Sequence, residues 1–195
     1  MPLYEDLKFL KKEGIPVVRL VRVKGESDLK KAKRLGYPLV LKITRGHKTD
    51  VGGVVLNITS EGELLKAYRR LKKFGELVAQ KQVSGIETII GVKKDPTFEQ
   101  VIMFGLGGVF TELLRDVSFR ACPISKKEAL SMMKEIRASR LLFGFRGRRA
   151  NIRLLQEVLV KVSKMAVKYD IKEMDINPFI VDEKKGYAVD ARIVY

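Results

Sequence analysis

Glu173-Met174-Asp175-Ile176-Asn177-Pro178-Phe179-Ile180-Val181, followed by Glu183-Lys184-Lys185-Gly186 and Tyr187-Ala188-Val189-Asp190-Ala191-Arg192-Ile193, closes the chain. It reads as two strands flanking a turn. Alternation puts Glu173, Asp175 and Asn177 on one face of the first strand. If the strands pair as a hairpin, Asn177 and Asp190 converge. Hard oxygen donors of that type suit Mg²⁺, which keeps several waters and is shared with substrate phosphates. A polar strand face ending in an Asn-Pro turn accounts for the same residues.

Working outward, helices and strands alternate irregularly, with several hairpins. Leu3, Leu7 and Leu10 share one helical face, and Gly14 ends that helix. Val17–Val23 reads as a strand. Ser27 is placed to cap a helix running to Leu35, and Tyr37–Ile43 is an apolar strand carrying one lysine, Lys42. A further strand covers Val54–Ile58. Ser60 with Glu63, and Ser125 with Glu128, form capping boxes for two helices, and Asn151 caps the last long one. Strands are expected over Leu77–Val83, Gly85–Lys93, Glu99–Phe104, Val109–Leu114 and Val117–Cys122, with a turn at Asp95-Pro96. This pattern is α+β, not a regular βαβ winding. Two subdomains are expected, residues 1–80 and 81–195, with a cleft between them.

The chain has 195 residues, 46% of them apolar, which is enough for a sizeable core. No apolar run reaches the length of a membrane span, and Met-Pro-Leu-Tyr-Glu-Asp does not read as a signal peptide, so a cytoplasmic location is expected. One cysteine, Cys122, and one histidine, His47, exclude an internal disulfide and the usual Cys/His zinc site. Cys122, beside Pro123, reads as a small buried hydrophobe. Net charge is +16, from 39 basic and 23 acidic residues, which invites nucleic acid, an acidic partner or an anionic ligand. The densest basic cluster is Arg137, Arg140, Arg146, Arg148, Arg149 and Arg153. Abundant Lys, Arg and Glu, with no Trp, also fit a heat-adapted protein.

Three further stretches bear chemistry. Gly46-His47-Lys48-Thr49-Asp50-Val51-Gly52-Gly53-Val54 sets an imidazole beside a cation, an acid and a flexible turn, the parts needed to handle a phosphoryl group. Lys42 ends an apolar strand; it either faces an anion or points to water from an edge strand. Gly105-Leu106-Gly107-Gly108 reads as a glycine-rich loop able to bring backbone N–H groups to phosphate, although hairpins use the same residues. It matches neither the Walker A nor the Rossmann fingerprint. Downstream, Arg115 with Asp116 reads as a surface pair and Arg120 as a potential anion clamp.

In this order, five segments resemble the nucleotide-binding subunit of ADP-forming acyl-CoA (acetyl-CoA) synthetases. They are Gly36–Ile43, His47–Val54, Gly105–Arg120, Glu173–Pro178 and Val189–Ile193. That family has an ATP-grasp fold related to the succinyl-CoA synthetase β subunit, and the resemblance covers nearly the whole chain. It implies that Lys42 touches nucleotide phosphates and that Gln80, Lys81, Gln82 and Val83 lie on a hinge strand that meets adenine. It also implies that Glu87 stands near the ribose and that Gly107 and Gly108 line the nucleotide. Asn177 and Asp190 match the Mg²⁺ ligands, and His47 matches a histidine that accepts or relays phosphate. Glu112 and Arg120 fall on the glycine-loop side as catalytic candidates. Departures include Thr49 where the family has Ser, a short Thr44-Arg45-Gly46 approach to the histidine, and Arg148-Arg149 after Arg146-Gly147.

The resemblance further implies ATP or ADP as substrate, and an enzyme active only with a CoA-binding α-type subunit on a separate chain, through which acyl-CoA is handled. Two other readings stand beside it. One is a stand-alone ATP-grasp ligase joining a carboxylate to an amine or thiol. The other is a basic nucleic-acid-binding module, which the 8% aromatic content and the lack of aromatic–basic interleaving disfavour.

Overall fold

Among the described residues every strand pairing is antiparallel apart from one isolated bridge, Val17 to Ala188. The computed structural model describes residues 3–44, 52–108 and 116–195, and statements of absence below refer to these. They fall into two compact units, one formed by Val18–Val83 together with the first residues of the chain, the other by Glu5–Val17 and Ser84–Tyr195. The change of unit thus lies at Val83/Ser84, and most of the N-terminal helix groups with the later unit.

The smaller unit holds β1 (Leu20–Val23), α2 (Leu29–Lys33), β2 (Leu39–Ile43), β3 (Val54–Ile58), α3 (Glu61–Leu71) and β4 (Leu77–Lys81), its sheet ordered β1-β4-β2-β3. Leu39, Leu41, Ile43, Leu77 and Ala79 face the two helices and share a core with Ala32, Leu64, Ala67 and Leu71. Helix α3 starts where expected, Ser60 accepting the Glu63 N–H. The box is not reciprocal, because the Glu63 carboxylate accepts from Thr59 instead. Ser27 does not cap α2. A 3₁₀ turn over Glu26–Asp28 precedes the helix, and the Asp28 carboxylate takes the Lys24 N–H and the Lys31 ammonium.

The larger unit holds α1 (Leu3–Lys12), β5 (Ile86–Asp95), β6 (Glu99–Leu106), β7 (Val117–Ala121), α4 (Lys126–Glu135), α5 (Arg140–Phe143), α6 (Ile152–Lys168), β8 (Glu173–Val181), β9 (Gly186–Ala188) and β10 (Arg192–Val194). Its sheet runs β10-β8-β5-β6-β7, with β9 also on β8. Both capping expectations hold: Ser125 and Glu128 bond each other's backbone, and Asn151 accepts from Leu154. Asp95 closes the β5–β6 turn by accepting the Thr97 and Phe98 N–H groups. Ile90, Val92, Ile102, Phe104, Met174 and Ile176 are buried under α4 and α6. The expected glycine-rich loop is shorter than its sequence suggests, because β6 continues through Gly105 and Leu106. Expected strand Val17–Val23 is reduced to β1 plus the bridge at Val17. The short helix α5, within the arginine cluster, has no counterpart in the sequence reading. The expected strand Val109–Leu114 lies outside the described residues. No helix is long and apolar enough to cross a membrane.

Asp116 is buried rather than part of a surface pair. Its carboxylate accepts the N–H groups of Arg137 (2.7 Å) and Ala138 (2.9 Å), tying the start of β7 to the segment after α4. Asp116→Ala leaves both donors without that acceptor. It is expected to lower unfolding free energy by about 1–3 kcal/mol, read as an earlier urea midpoint; an unmoved midpoint overturns this role.

Cys122 is half-buried, and burial pushes its thiol from an ordinary 9.0 up to about 12. Below pH 9 the thiol is protonated in both folded and unfolded chains. Above it the unfolded chain ionises first, so this group's contribution to stability is lost as pH rises. At pH 8 a disulfide reagent is expected to react slowly with the native chain and fast in denaturant; equal rates would disprove the burial argument.

Candidate functional site

In the four-stranded sheet, residue pairing fixes which side chains share a face. Val40 opposes Gln80, and Lys42 opposes Val78, so Lys42 and Gln80 stand on the same face, opposite the one packed on α2 and α3. Both are buried, Lys42 to 5% exposure and Gln80 to 0%. Strand β2 lies inside the sheet, between β4 and β3, so Lys42 is not an edge-strand lysine pointing to water. A buried ammonium is costly unless an anion or oxygen acceptors meet it.

The hinge residues divide between the two faces. Lys81 pairs with Leu39 on the helix-facing side, and its ammonium bonds the Tyr37 carbonyl. Gln82 reaches β3 instead. Its Oε1 accepts the Asn57 N–H (2.7 Å), and its Nε2 donates to Asn57 Oδ1 (2.6 Å). Asn57 has φ 55° and lies in the register shift between β2 and β3, so this amide pair braces a bulge. Val83 follows, partly buried.

In the six-stranded sheet, the face away from α4 and α6 carries Ile89, Gly91, Met103, Phe119, Glu173 and Asp175 around an open groove of about 730 Å³. Asn177 belongs to the same strand face. Here β8 carries one extra residue: Thr88 opposes Phe179, but Ile90 opposes Ile176, leaving Asn177 and Pro178 opposite Ile89 alone. This bulge re-phases the strand. Met174 and Ile176 are buried before it, Phe179 and Val181 after it, and Asn177 is exposed. Asp190 sits in the break between β9 and β10, where its carbonyl accepts the Asn177 N–H at 3.2 Å. The two residues are therefore neighbours through their backbones.

The same end of this sheet holds Glu87, Gly107 and Gly108. The Gly107 N–H donates to the Glu87 carbonyl at 2.7 Å, and a Cβ on Gly107 would lie 3.1 Å from Glu87 Cβ. A side chain at Gly107 would therefore push the two strands apart. Gly108 takes φ +67°, turning the chain beside the Glu87 carboxylate.

Arg120 is not brought into this group. It opposes Ile102, so it projects to the helix side, where its guanidinium makes a two-point pair with Glu135 of α4. That pairing holds the Glu135 carboxyl below its usual range. Strand alternation, which local sequence does not phase, decides the direction. His47 and Glu112 lie outside the described residues, as do Thr49 and Arg115. Asp175 is the acidic residue that the sequence reading placed on the right face but gave no role. The signal was its spacing, two residues before Asn177. No group of three or more His, Cys, Asp or Glu side chains is assembled to hold a metal. The donors present, the Asn177 amide oxygen and the Asp190 carboxylate, fit a hard cation that completes its shell with water and phosphate.

The ATP-grasp domain family matches residues 3–195. The β subunit of ADP-forming acetate–CoA ligase I from Pyrococcus furiosus is 39% identical over 207 residues, covering 97% of this chain and 89% of that one. ADP-forming acetate–CoA ligase II of Archaeoglobus fulgidus is 38% identical over 98% of this chain, which spans only 30% of that longer protein. Among solved structures, acetyl-coenzyme A synthetase 1 of Ca. Korarchaeum cryptofilum superposes with a TM-score of 0.88 at 43% identity, covering 98% of this chain and 91% of that one. That crystal holds coenzyme A and Mg-AMPPCP, with a phosphohistidine segment pointing towards the nucleotide binding site. With the fold and these likenesses in agreement, this chain belongs to the ATP-grasp family, among the β subunits of ADP-forming acetate–CoA ligases.

Proposed function

We propose that this chain is the nucleotide-binding subunit of an ADP-forming acyl-CoA synthetase. The overall reaction is acyl-CoA + ADP + phosphate to carboxylic acid + ATP + CoA. In this reading His47 accepts a phosphoryl group that originates as an acyl phosphate on a CoA-binding partner chain, and passes it to the terminal phosphate of ADP. The observation that carries the proposal is the pairing of Asn177 with Asp190 at the β8 bulge, in a chain matching a β subunit over 89% of that subunit's length.

Each residue has a physical task. Lys42, buried in an interior strand, meets a phosphate oxygen where attraction is stronger than at the surface. Gln80 at the end of β4 and the following Gln82 and Val83 form the segment along which adenine is read, largely by backbone groups, with Gln82 bracing it against Asn57. Glu87 stands towards the ribose, and the Gly107–Gly108 turn admits phosphate close to the main chain. Asn177 and Asp190, with Asp175 on the same strand, would hold Mg²⁺. When bound, that ion neutralises charge spreading over the transferred phosphoryl group. Arg120 is engaged with Glu135 and is given no catalytic part. The share of longer single-chain relatives that lies beyond this domain, and the separate β subunits of others, support a CoA-binding partner chain.

Calorimetric titration with Mg-ADP tests the site. Asn177→Ala with Asp190→Ala is expected to weaken affinity by at least the roughly 10–100-fold that losing even an outer-shell partner costs a metal site. Unchanged affinity in the double variant would sink the assignment. In a complex reconstituted with the CoA-binding chain, His47→Ala is expected to abolish ATP formation from acetyl-CoA while Mg-ADP binding persists. Retained turnover would remove His47 from the pathway.

A further inference from the structure

The segment between α5 and α6 has features that nucleotide chemistry does not use. Phe145 and Arg148 exchange backbone hydrogen bonds, Phe145 N–H to the Arg148 carbonyl at 2.9 Å and Arg148 N–H to the Phe145 carbonyl at 3.0 Å. The two residues between them, Arg146 and Gly147, both have positive φ, 50° and 75°. This is the type I′ pattern of a two-residue hairpin, whose first central position favours Asn, Asp or Gly. Here it is arginine, a side chain that pays a steric cost in the left-handed region. The turn is anchored at its base. The Ala150 N–H bonds the carbonyl of buried Leu142, the Asn151 N–H bonds the Asp182 carbonyl, and Arg149 pairs with Glu183.

What this rigid turn displays is aromatic and cationic. Phe143 is 41% exposed and Phe145 45%, an unusual cost for two phenyl rings two residues apart. The Arg146 guanidinium lies 5.3 Å from the Phe145 ring centroid. Arg140, Arg146 and Arg148 are exposed, and among the described residues none of them forms an ion pair. Aromatic rings beside arginines, held in advance of binding, are the composition of a protein–protein anchor.

We propose that this Phe143–Arg148 turn is the docking anchor for the CoA-binding partner chain, which meets it with an acidic face around an apolar recess. The inference rests on the function proposed above. The exposed Arg140, Arg146 and Arg148 complement an acidic partner, and a domain spanning 89% of a separate β subunit but 30% of a single-chain ligase needs a surface that holds the remainder of the enzyme. Strain at Arg146 is kept because the guanidinium and the ring below it are presented together, ready for carboxylates on the partner.

The experiment uses the full chain and the CoA-binding chain that restores ATP formation from acetyl-CoA. Association is measured by biolayer interferometry across a salt series. Arg146→Glu with Arg148→Glu is expected to weaken binding at least about tenfold and to flatten its salt dependence. Arg146→Gly separates binding from folding: glycine relieves the turn, so the thermal midpoint stays level or rises while partner affinity still falls. If no CoA-binding chain restores activity, the functional reading and the anchor fail together. If activity is restored and both variants bind like the wild type, the anchor alone is overturned. Tight binding of a single-stranded RNA oligonucleotide, lost in the charge-reversed variant with partner affinity unchanged, also overturns it, in favour of nucleic acid.

Discussion

One extra residue in strand β8 decides what the larger unit presents. Without the Asn177–Pro178 bulge, strict alternation from Ile176 would bring residue 178 inward and turn Phe179 and Val181 outward. The bulge keeps all of Met174, Ile176, Phe179 and Val181 in the core. Asn177 is the residue released, and the break between β9 and β10 sets Asp190 beside it. The exposure of Asn177 is therefore a by-product of how a hydrophobic strand stays buried on both sides of an irregularity.

Both sheets follow one logic. Each buries one apolar face under helices and assigns polar work to the other. In the smaller unit the working face carries Lys42 and Gln80 among Val40 and Val78, all of them buried. Removing an ammonium from water there requires strong compensation. In the larger unit the working face is open and holds Glu87, Asp175 and Asn177 with the groove beside them. Arg120 shows the other side of the rule: one residue of phase sends it to α4 and a structural pair with Glu135.

Charge is also distributed by role. Most of the excess of basic residues is solvated surface, and several cations are neutralised locally, as in Lys94 with Asp170 and Arg22 with Glu76. The turn after α5 departs from that pattern by combining left-handed strain, exposed rings and uncompensated guanidiniums in one short segment. Strain of this kind persists only where surrounding contacts over-determine it, and the bonds at Leu142, Asp182 and Glu183 do so here.

Local signals were read well where the interaction is local. The Ser125–Glu128 box, the Asn151 cap, the Leu3–Leu7–Leu10 face and the Asp95 turn all involve groups within a few residues of one another, so sequence alone specifies them. The ordered segments likewise carried the family. Ser27 failed as a cap because a neighbouring carboxylate competed for the same turn. The Gly105–Gly108 loop was overcalled because β7 supplies a partner that prolongs β6. Residue types and most of the described elements were thus determined by the sequence itself. The tertiary structure alone decided that β2 is interior and Lys42 buried, which way Arg120 points, and where β8 slips by one residue. Those outcomes depend on strand neighbours far away along the chain, and no short window of sequence contains both partners.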